Sequence, residues 1–338
     1  MKICSTSKLI MVMRKVVLDN KCICHFNQSS YNMCYQMQVA PFTTGYPFSC
    51  KFVSHLANLG LLDESNSVSP MTHTPVLVTA FSSTYYYRGL NMISAYRKIF
   101  PRDRIAVYDL GLEGWQLRRL RKICNVVVIL FPFNLYPDYF NVLNHYRWKP
   151  VVITMALKSY GSIIYADTSV QFRNANYLRV PGIMNCNFTF KNRFQCSRSQ
   201  YMLHSYAGHN IQQATMSSVL KYLPSDVSRL KDTDMYEAGL VSVIKTPETI
   251  ELLKWLVLCA LEEFCIAPRV NRPVHRCSFN DDVSLEPTCH RFDQSVINVL
   301  LANANNFSTS NYTSGLTDFY GIRRGDDSDP DEITLVPC

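Results

Sequence analysis

Short apolar runs alternate with helical stretches from about residue 74 onward. Apolar runs of this length are typical of buried strands, and they lie at residues 76–80, 105–108, 126–130 and 163–166. Helical patterns end at Pro101 and cover residues 115–123 and 148–158, the last with Pro150 in its first turn. Strands alternating with helices in this way indicate an α/β fold, with one mostly parallel sheet and helices on both faces.

The rest of the chain is less regular. Residues 1–72 show no period, and we predict an N-terminal stem or loosely ordered extension. We assign residues 73–310 to the sheet domain, whose irregular C-terminal part contains two helices at residues 247–264 and 293–302. Residues 311–338 end in an acidic stretch, which predicts a disordered tail.

Composition excludes several classes of protein. Of 338 residues, 47% are hydrophobic, which excludes disorder over most of the chain. No apolar run approaches the roughly 18 to 20 residues of a membrane-spanning helix, so the chain is not a membrane bundle. The net charge is +8, but the basic residues are dispersed, so we expect no nucleic-acid partner.

Thirteen cysteines and four N-x-S/T sites, at Asn27, Asn187, Asn306 and Asn311, favour a secreted protein or one in the lumen of the secretory pathway. The apolar run at residues 9–13 is too short for a signal peptide or a membrane anchor. We therefore expect the start of the sequence to be missing or mispredicted, and a membrane association only through an anchor that this sequence lacks.

Four of the cysteines lie close together, which predicts a local staple. The favoured pairs are Cys259–Cys265 and Cys277–Cys289, although four cysteines allow three pairings. The alternative is a zinc site that includes His275 or His290. The absence of any C-x-x-C pair argues against zinc.

Common nucleotide and hydrolase motifs are absent from the sequence. There is no G-x-G-x-x-G after the first strand, no Walker loop, no H-E-x-x-H and no G-x-S-x-G. These absences argue against a dinucleotide enzyme, a nucleoside triphosphatase, a zincin and an α/β-hydrolase. A sheet that binds a nucleotide without a glycine loop needs another way to hold the diphosphate, and a divalent metal on a strand-end carboxylate is one.

Five polar residues are candidates for chemistry, each with a structural alternative. Asp167 follows a buried strand and either binds Mg²⁺ or Mn²⁺ or caps a turn. Asp109 either accepts a hydrogen bond from a ribose or closes a turn, and the turn is favoured. Lys149 either neutralises a phosphate or is structural, and Asp293 is a helix cap, an acceptor ligand or a base. His204 is a weak candidate for a third metal ligand and is otherwise a solvated histidine.

Several segments, taken in order, resemble an uncharacterised animal family expanded in invertebrates, which is similar to nucleotide-diphospho-sugar transferases of the GT-A fold. The resemblance spans about residues 74–305. It rests on Val-Thr-Ala-Phe at 78–81, Tyr-Asp-Leu-Gly-Leu at 108–112, Trp-Lys-Pro at 148–150, Tyr-Ala-Asp-Thr-Ser at 165–169, Cys-Ala-Leu at 259–261, Cys-Ile-Ala-Pro at 265–268 and Cys-His-Arg-Phe-Asp-Gln-Ser at 289–295.

The resemblance implies a glycosyltransferase of the Golgi or secretory lumen, with a nucleotide-sugar donor, a divalent metal and a glycan or protein acceptor. The nucleoside pocket would be lined by Thr79, Phe81, Ser82 and Asp109. Residues 167–169 would stand where transferases carry the metal-binding Asp-x-Asp.

On the acceptor side, Asp293 and Gln294 would match an Asp-Gln pair, and residues 237–239 an Asn-Ala-Gly segment in which Glu237 replaces Asn. The third position of the metal motif is Ser169, a poorer ligand than a carboxylate. This departure motivates an alternative, a catalytically inactive binding or structural protein. Methyl transfer, motivated by Asp109, is a third hypothesis, which the missing glycine turn disfavours.

Overall fold

The computed structural model describes residues 20–37, 42–62, 75–186, 198–268, 287, 289–325 and 327–330. Within these ranges the strands are β1 (Ile23–Phe26), β2 (Ser29–Asn32), β3 (Val76–Phe81), β4 (Ile105–Asp109), β5 (Val126–Leu130), β6 (Ser162–Ala166), β7 (Val170–Phe172), β8 (Tyr201–Met202), β9 (Tyr206–Asn210), β10 (Asp234–Tyr236), β11 (Leu240–Ile244) and β12 (Tyr320–Ile322). The α-helices are α1 (Val53–Leu59), α2 (Tyr86–Ile99), α3 (Gly114–Leu120), α4 (Trp148–Tyr160), α5 (Val180–Met184), α6 (Ser217–Tyr222), α7 (Val227–Lys231), α8 (Pro247–Leu261) and α9 (Asp293–Ala304).

A six-stranded sheet forms the centre of the molecule, in the order β5-β4-β3-β6-β11-β8. The strands β5, β4, β3 and β6 are parallel, whereas β11 runs antiparallel to both β6 and β8. The predicted α/β fold with a mostly parallel sheet is confirmed, and each of the four predicted strands lies within an observed one. The strand β11 was not predicted.

Helices cover both faces of this sheet, and alternate residues of each strand divide between them. In β3, Val78 and Ala80 belong to the apolar core shared with α1, α4, α8 and α9. Their neighbours Leu77 and Phe81 belong to the core on the opposite face, which includes residues of α2 and α5. The predicted helices on both faces are therefore confirmed.

The helix α4 determines how its own first turn lies relative to the end of the strand that follows it. Pro150 is tolerated in its first turn, where an amide has no partner within the helix. The helix ends at Gly161, whose φ of 74° suits a residue without a side chain. The strand β6 follows at once, so α4 and β6 run in opposite directions and the start of α4 lies beside the end of β6.

The segment before residue 72 is folded in its described part, contrary to the predicted loose order. Cys22–Cys34 joins the two ends of the hairpin β1–β2, and Cys24–Cys50 links β1 to the residues just before α1. Phe48 and Phe52 are buried in the core beside α8, and the ring centroids of Phe48 and Trp255 are 6.2 Å apart. Disulfides hold this segment in an ordered structure, and a search for hydrophobic periodicity does not detect that kind of stabilisation. The boundary at residue 72 stays a prediction.

The predicted disordered tail is likewise ordered where the structure describes it. The strand β12 pairs with β7, and two ion pairs, Arg88–Asp327 and Arg119–Asp329, attach the acidic stretch to α2 and α3. Acidic composition alone does not show that two arginines elsewhere in the chain pair with it.

The predicted disulfide Cys259–Cys265 is confirmed. Cys277 lies outside the described residues, so the pair Cys277–Cys289 stays a prediction, although Cys289 is disulfide-bonded. The alternative prediction of a zinc site is wrong for Cys259 and Cys265, because both cysteines are oxidised in this disulfide. The disulfides fit a secreted or lumenal protein. Within the described ranges, no helix has both the length and the apolar character needed to cross a bilayer.

Candidate functional site

A cavity of about 420 Å³ opens at the edge of the sheet where the parallel strands end. Open α/β sheets bind ligands at this edge, because the strand ends and the following loops meet there. Phe81 and Ser82 at the end of β3, Asp167 after β6, Lys149 in the first turn of α4 and Asp293 in the first turn of α9 all line it. These five predicted site residues therefore lie in one cavity.

Lys149 lies between the two carboxylates. Its Nζ is 3.1 Å from Oδ1 and 3.2 Å from Oδ2 of Asp167, and 3.0 Å from Oδ2 of Asp293. The side chain of Lys149 is 4% exposed, that of Asp293 11% and that of Asp167 32%. The most buried group is thus the ammonium, and the most accessible is the Asp167 carboxylate.

The electrostatics of this cluster keep the lysine charged. Burial alone would lower the pKa of Lys149, but the Asp167 and Asp293 carboxylates raise it above its ordinary value. Burial raises the pKa of Asp293, an effect that Lys149 opposes. Two carboxylates and one ammonium leave this part of the cavity with one net negative charge when all three groups are ionised.

Two neighbours orient Asp167. The hydroxyl of Tyr165 donates a hydrogen bond of 2.9 Å to Oδ1, and the amide of Asp167 donates one of 2.7 Å to the carbonyl of Gly239. A Cβ on Gly239 would lie 3.2 Å from Oδ2 of Asp167. Glycine at this position therefore allows β11 to approach the carboxylate closely.

Backbone strain precedes Asp293. Phe292 has φ 47° and ψ −117°, a conformation that favours glycine. Its ring is buried between aromatic neighbours, 5.8 Å from the ring of His145 and 5.4 Å from that of His290. This packing holds the strained residue in place, and the sharp turn directs Asp293 into the cavity instead of continuing the loop.

Three predicted site residues do not line the cavity. Thr79 is fully buried on the sheet face that packs against α2, and its Oγ1 has no hydrogen-bond partner among the described residues. Asp109 closes a turn, because its Oδ1 accepts hydrogen bonds from the amides of Gly111 and Leu112 at 2.8 and 2.6 Å. The turn reading of Asp109 thus describes its observed contacts.

His204 is the third residue outside the cavity. Its Nδ1 lies 2.8 Å from the Ser314 hydroxyl and its Nε2 lies 3.1 Å from that of Ser242. The ring is buried, which lowers the pKa of His204 to about 3. Both nitrogens are used within the protein, so we do not carry His204 into the proposed site, and the solvated alternative is also wrong.

The residues around Asp167 do not fit a resident divalent metal. Among the described residues, no three His, Cys, Asp or Glu side chains form a group that could hold a metal ion. The third position of the motif is Ser169, and the space between Asp167 and Asp293 already holds the ammonium of Lys149. A hard dication prefers several oxygen ligands, and here it would compete with a cation that the chain itself supplies.

Sequence patterns did not single out the arginines of the cavity. Arg88 from α2, Arg291 before α9 and Arg324 after β12 all line it. Arg88 makes two hydrogen bonds to Asp327, at 2.7 and 2.8 Å. Arg291 lies within the Cys-His-Arg-Phe-Asp-Gln-Ser segment at 289–295. For Arg324 the only signal in the sequence is the basic pair at 323–324, and basic residues of this kind are usually exposed surface charges.

The fold and the site thus define an α/β protein with a charged cavity at the carboxyl edge of its parallel strands. Residues 20–154 match the model of a family described as "Protein of unknown function (DUF1647)". The predicted resemblance to a family of unknown function is confirmed. The matched residues begin and end earlier in the chain than the predicted range of about 74–305. A search of the curated proteins finds no match to the chain.

Among solved structures, the chain is similar to the galactosyltransferase LgtC in complex with donor and acceptor sugar analogs. The identity is 10%, the match covers 74% of this chain and 87% of that chain, and the TM-score is 0.39. An active-site mutant of LgtC is covered over 59% of its length, less than two thirds.

Two further similar structures are eukaryotic. Mouse xyloside xylosyltransferase 1, apo form, is 10% identical over 72% of this chain and 84% of that chain, with a TM-score of 0.37. Core-mannan synthase A from Aspergillus fumigatus, in its Mn/GDP form, is 9% identical over 69% and 80%, also with a TM-score of 0.37. Each activity named here is that protein's own.

Proposed function

We propose that the chain is a glycosyltransferase, which moves a sugar from a nucleotide-diphospho-sugar to a hydroxyl of a glycan or protein in this cavity. One observation carries the proposal. A buried lysine lies between two carboxylates of unequal exposure at the carboxyl edge of a parallel sheet. Paired carboxylates in one polar cavity suit the handling of sugar hydroxyls and of the proton that transfer releases.

The transfer breaks the bond between the anomeric carbon and the diphosphate oxygen and forms one between that carbon and the acceptor oxygen. The nucleoside diphosphate leaves with the electron pair of the broken bond. The proton of the acceptor hydroxyl goes to Asp293, because burial raises the pKa of this carboxyl and makes it a stronger base than an exposed aspartate. Asp167, which is more accessible, accepts hydrogen bonds from donor hydroxyls.

The remaining residues of the cavity have supporting roles in this proposal. Lys149 holds both carboxylates at fixed positions, and Phe81 and Ser82 border the donor at the end of β3. Ala238 and Gly239, which also line the cavity, lie on the acceptor side. The proposed mechanism does not use the divalent metal that the resemblance implies, because the side chains around Asp167 do not fit a metal ion.

The test is donor turnover. The purified chain is incubated with UDP-, GDP- and CDP-sugars and a mixture of glycan and peptide acceptors, with and without Mn²⁺, and released nucleoside diphosphate is quantified by chromatography. We expect release with one donor class and a loss of about 100-fold or more in Asp293→Asn, the scale of a lost general base. Asp138→Asn, at an exposed position, is the matched control.

The second candidate function is nucleotide-sugar binding without transfer. Its support is the contact of Lys149 with both carboxylates together with Ser169 in place of a metal-binding acid. Donor binding seen by calorimetry, with no nucleoside diphosphate released under any of the conditions above, would favour this candidate. If the chain neither binds nor turns over any donor, both proposals are refuted.

The proposed cellular setting is the Golgi or another part of the secretory-pathway lumen. Glycosyl acceptors are plentiful there, and the oxidising environment preserves disulfides such as Cys24–Cys50 and Cys259–Cys265. We retain the assignment of residues 73–310 to the transferase domain as part of the proposal. Fluorescence microscopy of the tagged full chain against a Golgi marker tests the location.

A further inference from the structure

Resting on the proposed function, we infer that the chain binds the diphosphate of its nucleotide without a divalent metal, using Arg291, Arg324 and Lys149 as the cations. In this arrangement the two guanidinium groups contact the phosphate oxygens directly. Lys149 neutralises one of the two carboxylate charges that would otherwise repel the phosphates.

Arg291 and Arg324 form no ion pair within the described part of the chain, although both interact electrostatically with Glu237. Neither guanidinium is in an ion pair or donates a side-chain hydrogen bond there, unlike Arg88, which is bonded to Asp327. The Nε of Arg291 is buried and has no hydrogen-bond partner among the described residues. A buried donor without a partner costs free energy, and a phosphate oxygen would supply the missing acceptor.

The two arginines face the same volume. Burial lowers the pKa of Arg291 from its ordinary value, and the charge of Arg324 lowers it further. Glu237 is a carboxylate that interacts electrostatically with both arginines, and burial raises its pKa. Like charges held together beside a cavity form a site for an anion, and guanidinium groups match the geometry of phosphate oxygens.

Arg324 reaches the cavity because the segment after β12 is fixed on both sides. The amide of Arg323 donates a hydrogen bond of 2.8 Å to the carbonyl of Ser169, and Asp327 pairs with Arg88 at 2.7 Å. Ser169 is the position at which the metal motif departs from Asp-x-Asp. The backbone of that position thus anchors the strand that brings a permanent cation to the cavity.

Lys149 is the third cation of the proposed diphosphate site. Its ammonium contacts both Asp167 and Asp293, so a metal ion at these carboxylates would be repelled by a cation already bonded to them. With the lysine in place, Arg291 and Arg324 add two positive charges at the cavity wall. These two charges exceed the one negative charge that the cluster retains, so the side chains give this part of the cavity the positive charge that attracts a diphosphate.

The test is calorimetric titration of the full chain with UDP, GDP and CDP, in 1 mM EDTA and in 1 mM Mn²⁺. We expect at least one nucleotide to bind with dissociation constants that agree within about 3-fold between the two buffers. Charge-assisted hydrogen bonds set the scale for the variants: about 10-fold weaker binding for Arg324→Gln and about 100-fold for Arg291→Gln/Arg324→Gln. Arg102→Gln, at an exposed position beside the opposite edge of the sheet, should bind like wild type.

The outcomes separate this inference from the proposed function. Nucleotide binding that requires Mn²⁺ overturns the inference and leaves the proposed function standing. Binding in EDTA that both arginine variants retain also overturns it, since other groups then hold the phosphates. No binding of any nucleotide in either buffer overturns both. Thermal melting of each variant shows whether it is folded, and Arg324→Gln, which changes an exposed side chain, keeps the test decisive if the double variant is not.

Discussion

Replacing Lys149 by methionine is the most direct test of the charge cluster. Methionine preserves most of the side-chain length and removes the ammonium, so the carboxylates of Asp167 and Asp293 lose the cation that each contacts within 3.2 Å. Removing one partner of a buried ion pair costs roughly 3–5 kcal/mol, because the remaining charge is left uncompensated. Asp167 is partly solvated, so we expect a value of about 3 kcal/mol, mostly from Asp293.

The expected loss depends on pH. Burial raises the pKa of Asp293, and without Lys149 only the hydrogen bond from the Gln294 amide opposes that effect. A carboxyl whose pKa is higher in the folded state destabilises the fold as pH rises through that value, since its charged form is the disfavoured one. The stability lost in Lys149→Met should therefore be smaller at pH 5 than at pH 7.5.

Urea unfolding followed by circular dichroism, with the disulfides intact, measures the effect. Lys158→Met is the matched control, because Lys158 lies on the same helix, is exposed and donates only to the carbonyl of Asn58. In Lys149→Met/Asp293→Asn the buried charge is gone as well, and we expect about 2 kcal/mol to be recovered. If Lys149→Met is as stable as Lys158→Met, the lysine does not compensate buried carboxylates and the reasoning is refuted.

Two further predictions concern the surroundings of the cluster. Burial lowers the pKa of His204 to about 3, so below about pH 6.5 the histidine takes up a proton in the unfolded chain but stays neutral in the folded one. The unfolding free energy therefore falls as pH falls from about 6.5 towards 3. Between pH 7.5 and 5, wild type should lose about 2 kcal/mol more unfolding free energy than His204→Gln, and equal losses would contradict the assignment. In Gly239→Ala the new Cβ would lie 3.2 Å from Oδ2 of Asp167, which must move by a few tenths of an ångström. Donor turnover should fall by about 10-fold with unfolding free energy unchanged within about 1 kcal/mol, whereas wild-type turnover would show that the position of Asp167 does not matter.

The parallel part of the sheet was predictable because each of its strands is a short apolar run followed by a helix. The strand β11 was not, although all five of its residues are buried. Ser242 interrupts its apolar run, and one of its partners is β6, which lies about 75 residues earlier in the chain. The hairpin β1–β2 was missed for a related reason, since spacing does not determine which cysteines pair.

The candidate site was predictable at the level of strand ends. Asp167 and Asp293 line the cavity because a residue directly after a parallel strand, or in the first turn of a helix that starts at the same edge, must lie there. Asp109 also follows a strand, yet its carboxylate binds the two amides that come after it. The sequence Asp-Leu-Gly permits that local turn, which is why position alone overestimates the number of site residues.

The contact between Lys149 and Asp167 could have been derived from element lengths. The helix α4 has 13 residues, so it descends about 20 Å from the carboxyl edge of the sheet. After Gly161, β6 returns over five residues, about 17 Å, and Asp167 follows it. The two lengths nearly cancel, so residue 167 lies level with the first turn of α4, where Lys149 is. A lysine in that turn reaches a strand-end carboxylate whether or not a metal is nearby. The resemblance to a metal motif considers residues 167–169 alone, and for this reason it did not reveal that the chain supplies its own cation.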